Sequence, residues 1–590
     1  MPNLALRVFC LLKISLKGLA LTFILLWFTQ AVFAMEDQPK FLTEPFLQLP
    51  TETSVRVVWF TEFAGARHTV DYSSDFNQTV VATTTQLSRT REDEESKLTK
   101  PYPRLTPRPI WRHEAEVTGL FPDTRLPYRV TSLREDGKII QSAEFTLAPR
   151  PSPGKPLKLL LTSDHQLKPL VAANLQKVVE TVGQVDAVLF AGDLVDIPDR
   201  ASDWFDHTNG NAFFPTLQGR AHYDLKRENR ITRYTGGALI QSAPLFPAIG
   251  NHEAMGRVSS DRRLGTQFDD STPRAIAEVA YRKNARTINP TDNPKIRETW
   301  IKNNSFNTDT YEEIFTLPES PEGGKQYYAV TFGDIRLIVL HATNMWRTPS
   351  LAATARGKYQ ERQQDLDDSA EWGYGQHLFG AIAKGTAQYR WLEQELNNPE
   401  FKQAKYKMVM FHHPPHSLGF NVVPAYTDPV QSIERDASGK ITAVCYEYPK
   451  QADYLVRDVV PLLESAGVQL VFYGHSHLWN RFISPAGMHF LETSNVGNSY
   501  DAYVGDRSRP VPHTDSADYA TVGNPNGLEP IVPTLAPLLD GEGQPMPYLA
   551  SNDITAFSIL DTGAGTISSY YFDTRKPESG VVKFDEFRLK

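Results

Sequence analysis

LKLLLTSDHQLKPLVAANLQKVVETVGQVDAVLFAGD, residues 157–193, decides the fold. It holds an apolar run (157–164), a helical stretch (170–182) and a second apolar run (186–193). Strand, helix, strand in that order reads as a parallel α/β unit. Near-continuous apolar strands belong to sheets covered on both faces, where ligands gather beyond the carboxyl ends of the strands. Asp164 and Asp193 stand at those ends, with Ser163, His165 and Gln166 beside the first.

Downstream the arrangement recurs in APLFPAIGNHE (243–253), YYAVTFGDIRLIVLHATN (327–344), YKMVMFHHPPH (406–416) and VQLVFYGHSH (468–477). Each apolar run delivers polar residues where it stops. The stretches 258–326, 347–386 and 494–550 are polar or proline-rich insertions without clear periodicity, expected as surface loops around a site. ITAFSILDTGAGTISSYYFD (554–573) reads as two closing antiparallel strands, and there is no internal repeat.

Upstream, SVRVVWF (54–60), HTVDYS (68–73), HEAEVTGL (113–120), YRVTSL (128–133) and AEFTLA (143–148) are short, regularly spaced strand signals that favour a β-sandwich. The charge run REDEESK (91–97) fits a solvated loop, and PRPSPGKP (149–156) a stiff linker. The N-terminus places Arg7, Lys13 and Lys17 before an apolar run from Leu19 to Phe28, then Val32-Phe33-Ala34, which reads as an export signal cleaved after Ala34. An uncleaved membrane anchor is the alternative, since the apolar stretch extends to about 17 residues. Cleavage leaves Cys445 as the only cysteine, so no internal disulfide forms, which suits a bacterial envelope. With 61 basic and 69 acidic residues among 590 and a net charge of −8, no basic patch suggests nucleic acid as a stable partner.

Taken singly, Asp after a strand is a common helix cap, and GD and GN are common turns. Jointly, five strand ends supply Asp164, Gly192-Asp193, Gly250-Asn251-His252-Glu253, His412 and Gly474-His475-Ser476-His477. These are the donors that two adjacent cations need: a carboxylate able to bridge, amide and carboxylate oxygens, and neutral imidazoles. The glycines leave room for the ligands to fold over the ions. Strand alternation sends His475 and His477 to one face.

With these motifs the chain resembles the calcineurin-like metallophosphoesterase family, read by D-x-H, G-D-x-x-D, G-N-H-E/D, a single His and G-H-x-H, over roughly 157–573. The sandwich in front resembles the purple acid phosphatase branch. The resemblance implies an α/β fold, a four-layer metallophosphoesterase-type β-sandwich flanked by helices, preceded by an all-β immunoglobulin or fibronectin III-like sandwich. The implied divisions are a signal at 1–34, the sandwich at 35–148, a linker at 149–156 and the phosphoesterase domain at 157–590. Asp193 is then the bridging carboxylate; Asn251, His412 and His475 complete one metal, and Asp164 and His477 hold the other. His413 is the alternative to His412. His252 matches the residue that contacts phosphate and protonates the leaving oxygen, with Glu253 expected to orient it; His416 and His341 are further candidates for the phosphate pocket.

Two departures stand out. The family places a histidine where this chain has Gln166, and the tyrosinate of purple acid phosphatases falls on Asp196. A glutamine oxygen is a weaker donor than imidazole for transition metals; a slipped register would bring in His165 instead. The expected activity is hydrolysis of a small phosphate ester by a site with two divalent or trivalent ions (iron, manganese or zinc), in a secreted or periplasmic protein. A nucleotidase or phosphodiesterase would use the same ligands, and a catalytically impaired surface or binding protein is the reading from another class. Trp204, Phe205, Trp346 and Trp372 are aromatic candidates for stacking on a substrate.

Overall fold

The computed structural model describes residues 40–321, 324–347, 357, 359–422, 426–511 and 519–590. The expected export segment at 1–34 lies outside the described residues, as do parts of the 347–386 and 494–550 insertions. Among the described residues no helix is long and apolar enough to cross a membrane.

Two antiparallel sheets form the N-terminal part. One runs Phe46–Gln48, Ser54–Thr61, Trp111–Thr118, Thr83–Gln86; the other runs Ile139–Gln141, Leu126–Leu133, Arg67–Tyr72, Gln78–Val81, with Phe145–Leu147 also on Leu126–Leu133. The Ser54–Thr61 strand is apolar on both sides for a structural reason. Val55, Val57 and Trp59 fill the space between the two sheets, while Val58 and Phe60 join the core of the following part. Phe60 meets Phe205 and Phe214 there, and Phe46 also meets Phe214.

Beyond residue 157 two mixed sheets face each other. The first has the order Leu245–Pro247, Ala187–Phe190, Lys158–Thr162, Ile554–Asp561, Thr566–Asp573, Val582–Arg588, its first three strands parallel. The second has the order Tyr328–Phe332, Ile335–Val339, Tyr406–Met410, Leu470–Tyr473, His489–Thr493, Trp479–Ile483, Tyr548–Leu549, with four parallel strands at its centre. Alternation explains why these strands read as unbroken apolar runs. Leu337, Met408 and Phe472 point between the sheets towards Leu159, Leu161 and Leu189. Ile338, Val409 and Val471 point outward beneath the Ala387–Asn397 helix, through Leu392 and Leu396. The Val171–Val182 helix covers the other sheet through Val171, Leu175 and Val178. The result is helix, sheet, sheet, helix, the four-layer arrangement anticipated above, and 554–573 is the antiparallel pair read from sequence.

The 258–326 insertion departs from its expectation as loops. It folds into the helices Leu264–Phe268, Arg274–Ile288, Pro294–Asn303 and Asp309–Ile314. Ala277, Tyr281, Ala285 and Ile288 lie along one face of the second helix, where Tyr281 and Ala277 pack with Ile301 of the third. That sparse stripe is diluted by arginine, lysine and glutamate, which hides its period.

Candidate metal centre

Every parallel strand of the two sheets stops at the same edge of the molecule, and the polar residues named above leave from there. They do not leave as strands. Asp164, Gln166, Asp193, His475 and His477 have φ of 59, 38, 58, 81 and 57°, the left-handed region that non-glycine residues avoid. Strain of this kind persists where the surroundings over-determine it, and it concentrates at functional sites. The expectation that His475 and His477 share a face by strand alternation is therefore corrected: the strand ends at Tyr473, and two left-handed residues turn both rings inward. Gly250 and Gly474 are needed for space. A Cβ on Gly250 would lie 2.2 Å from Asp193 Oδ1, and one on Gly474 2.2 Å from Asp164 Oδ2.

Three imidazoles are held in the same way. His412 donates Nδ1–H to the Ala191 carbonyl (2.8 Å), His477 donates Nδ1–H to the Asn498 carbonyl (2.7 Å) and His475 donates Nε2–H to the Asn421 carbonyl (3.1 Å). With the outer nitrogen of each ring tied to backbone, the inner nitrogen carries a lone pair. His412 Nε2 then lies 3.2 Å from Asp193 Oδ2, 3.1 Å from Asn251 Oδ1 and 3.3 Å from His475 Nδ1. Asn251 donates its amide N–H to the Trp346 carbonyl, which turns its oxygen inward as well. Four acceptors converge on one point, a set whose donor chemistry suits a cation. Beside it, Asp164, Asp193 and His477 bring ligand atoms within 4.8 Å of one another. His477 Nε2 is 3.3 Å from Asp164 Oδ1, which is buried and makes no hydrogen bond. The residues fit a pair of metal ions with Asp193 between them.

Electrostatics follow the geometry. Burial alone would raise the Asp193 pKa, yet the neighbouring His412 and His252 hold it well below the carboxylate range. Burial works against charge on His412, but Asp193 holds its pKa up to about 10; without an ion a proton stands between His412 Nε2 and Asp193, and a bound cation displaces it and takes up the lone pair. His475 and His413 are pushed well down by burial and by the neighbouring rings.

Other candidates fall elsewhere. His413 brings a ring nitrogen within 4.8 Å of those of His412 and His475, but its ring stacks on His475 at 3.8 Å and its Nδ1 pairs with the Thr343 hydroxyl. His165 turns away, edge-on to Phe190 at 4.4 Å with Nε2 on the Thr162 hydroxyl. His416 packs on Phe490 and meets Asn524, and His341 is bonded to its own loop at the Thr343 carbonyl, so neither is placed to line a phosphate pocket. Trp204 and Phe205 are core residues, and Trp372 packs on Tyr374.

Glu253 requires the largest correction. Its carboxylate does not touch His252. It accepts the backbone N–H groups of Asp193 (2.8 Å), Gly250 (2.7 Å) and Leu194 (2.8 Å), tying two ligand loops together. Burial and the Asp193 charge push its pKa up. His252 is oriented instead by the Asp196 carbonyl, which accepts its Nδ1–H at 2.7 Å. The ring rests on Phe268, and Nε2 lies 4.0 Å from Asp193 Oδ2.

Sequence reading missed several supports. Glu492 accepts from Ser476 N–H, Ser494, Ser417 and Asn480, and so holds the loop between His475 and His477; its signal was a lone acid within the apolar strand His489–Thr493. Tyr500 stacks on His477 at 4.9 Å with 23° between the rings. Above the centre opens a cleft of about 680 Å³ lined by Gln166, Lys168, His252, Arg262, Trp346 and Tyr500 among others.

Comparison with known proteins gives the family and the fold. A family model described as Calcineurin-like phosphoesterase matches residues 157–478, and one described as Purple acid Phosphatase, N-terminal domain, matches 43–147. No curated protein matches the chain. Among solved structures the fold is similar to that of the purple acid phosphatase PPD1 from yellow lupin (Lupinus luteus) seeds, at 14% identity and a TM-score of 0.50, covering 92% of this chain and 73% of that one. A structure of PhoD aligns at 11% identity and a TM-score of 0.44, covering 93% and 92%.

Proposed function

This chain belongs to the calcineurin-like phosphoesterase family, and on that premise we propose that it is an exported, acid phosphatase-like hydrolase of small phosphomonoesters with a two-metal site. That it is a phosphoesterase hydrolase comes with the family. The observation that carries the finer reading is the pair of donor sets flanking Asp193, with every imidazole lone pair turned inward by a backbone carbonyl. Iron, manganese and zinc all suit such donors. Export rests on the sequence pattern of residues 1–34.

Ions bound there supply charge neutralisation for the phosphoryl oxygens and lower the pKa of a water towards neutrality. The chain's own part is positioning. Asp193 fixes the spacing of the two donor sets, and Glu253 fixes Asp193. Because His252 Nδ1–H is committed to Asp196, the Nε2 edge faces the cleft. In the proposed reaction the water oxygen bonds to phosphorus and the bond from phosphorus to the leaving oxygen breaks. His252 acts in its doubly protonated form, which burial disfavours and the Asp193 and Asp196 charges favour. Nε2 gives its proton to the departing oxygen, the ring is left neutral with Nδ1–H still on Asp196 and is reprotonated from solvent, and the proton released by the water passes to solvent. Lys168, Arg262, Arg347 and Arg362 line the cleft together with Asp196, Asp269 and Glu371, a mixed lining with a small excess of positive charge towards an anionic substrate.

Turnover of a chromogenic phosphomonoester tests the reading. His252→Ala should lower kcat by about 10²- to 10⁴-fold with metal content unchanged. A protein that holds two ions and hydrolyses no phosphomonoester would overturn the assignment of substrate, and loss of metal in the variant would overturn the role of His252.

A further inference from the structure

Gln166 is the position at which this chain departs from its family, and the structure gives its amide an unsettled place. Nε2 donates to Asp193 Oδ2 at 2.5 Å, while Oε1 is buried with no hydrogen-bond partner. Which end of a glutamine amide is oxygen is decided by its surroundings. Here the surroundings are acceptors: Asp193 Oδ2, Asp164 Oδ1 and the His477 Nε2 lone pair. A buried acceptor without a donor is unfavourable, and two such atoms, Gln166 Oε1 and Asp164 Oδ1, stand at the same site. A cation shared with Asp193 pairs with Asp164 Oδ1 as it stands, and with Gln166 Oε1 once the amide has turned. It lets the amide turn its oxygen towards Asp193 without repulsion.

The backbone holds Gln166 in this position. Its N–H donates to the Leu194 carbonyl at 3.2 Å, and the left-handed residues Asp164, Gln166 and Leu167 bend the chain back over Asp193. His165 cannot substitute, because the same bend sends its ring to Phe190.

We infer that Gln166 is a metal ligand through its amide oxygen, and that it makes the Asp164 side a site for a hard divalent cation of the Mn²⁺ class. The inference rests on the two-ion reading above. With Gln166 this side offers oxygens from Asp164, Asp193 and Gln166 and a nitrogen from His477. The other side offers oxygens from Asp193 and Asn251 and nitrogens from His412 and His475. Oxygen donors suit Mn²⁺ and Mg²⁺, whereas imidazoles suit zinc and iron, so the two positions differ in the ions they prefer.

The test uses full-length, metal-depleted protein titrated with MnCl₂ and ZnCl₂, separately and in competition, with retained ions counted by elemental analysis. The wild type should bind two ions, with a Zn²⁺-over-Mn²⁺ margin at least about tenfold smaller at one position than at the other. Gln166→Leu should weaken one Mn²⁺ equivalent by at least about tenfold and leave the other unchanged. Gln166→His should keep both ions and shift one position at least about tenfold towards Zn²⁺, and Gln166→Glu, which retains an oxygen, should keep both. If Gln166→Leu fails to fold, judged by near-ultraviolet circular dichroism, the His and Glu variants decide. Wild-type affinities in Gln166→Leu, or an unchanged zinc-to-manganese preference in Gln166→His, would overturn the assignment while leaving two ions in place. Fewer than two ions in the wild type would overturn the two-ion reading, and this inference with it.

Discussion

Replacing Glu253 separates a structural from a catalytic role. Its carboxylate takes three buried backbone N–H groups, two at Oε2 and one at Oε1. Glu253→Gln retains one oxygen. In its better rotamer that oxygen keeps the Asp193 and Gly250 N–H groups, and the new amide nitrogen faces the Leu194 N–H, donor against donor. One buried donor left unpaired costs about 1–3 kcal/mol. Glu253→Ala strands all three and costs about 3–9 kcal/mol, comparable to the whole stability of many domains. Because the stranded groups belong to the Asp193 and Gly250 loops, metal affinity should fall together with stability. The assay is urea unfolding of Glu253→Gln with metal content and turnover measured on the same samples. The expected result is a lowered unfolding midpoint, reduced metal content, and activity partly restored by excess metal. Wild-type stability and metal content with a turnover about 10²-fold lower would refute the reasoning and return Glu253 to a direct role in proton transfer.

Gly250→Ala should yield a folded protein with less than the full metal content, since the new Cβ would lie 2.2 Å from Asp193 Oδ1; full occupancy by elemental analysis would contradict the packing argument. A pH effect is expected in the N-terminal sandwich. His113 is buried between the Thr61 and Thr84 hydroxyls, its ring 3.5 Å from that of His68, with Arg112 adjacent. Burial, then the charges of His68 and Arg112, push its pKa down to about 2. The unfolded chain binds this proton near pH 6.5 and the folded chain does not. Stability from the neutral ring is therefore present above pH 6.5 and is lost as pH falls, by about 2 kcal/mol between pH 7 and pH 5. Urea unfolding at both pH values should show this loss in the wild type and a smaller one in His113→Phe; equal losses would exclude His113 as its source.

The side chains of the candidate metal centre were legible because each follows an apolar run directly, so that type and place appear together in the sequence. What holds them was not. The Ala191, Asn421 and Asn498 groups that orient the three rings are backbone carbonyls, which every residue possesses. Tyr500 reaches the centre from an insertion whose sequence has no period, and Glu492 acts from within a strand. The orienting role expected of Glu253 falls to Asp196 for a related reason: a glutamate beside a histidine suggests a pair, but the tight Gly250–Glu253 turn sends the carboxylate back under Asp193. The four layers were readable from continuous apolar strands, since alternating residues feed two separate cores. The helices of 258–326 were not, because a four-residue apolar stripe among many charges leaves little amplitude to detect.

Metal stoichiometry by elemental analysis, on protein purified without chelators, tests the central claim most directly. Two ions per chain, both lost on dialysis against a chelator together with phosphomonoester turnover, is the predicted result. One ion or none, or turnover that survives chelation, would contradict a two-metal phosphoesterase built around Asp193.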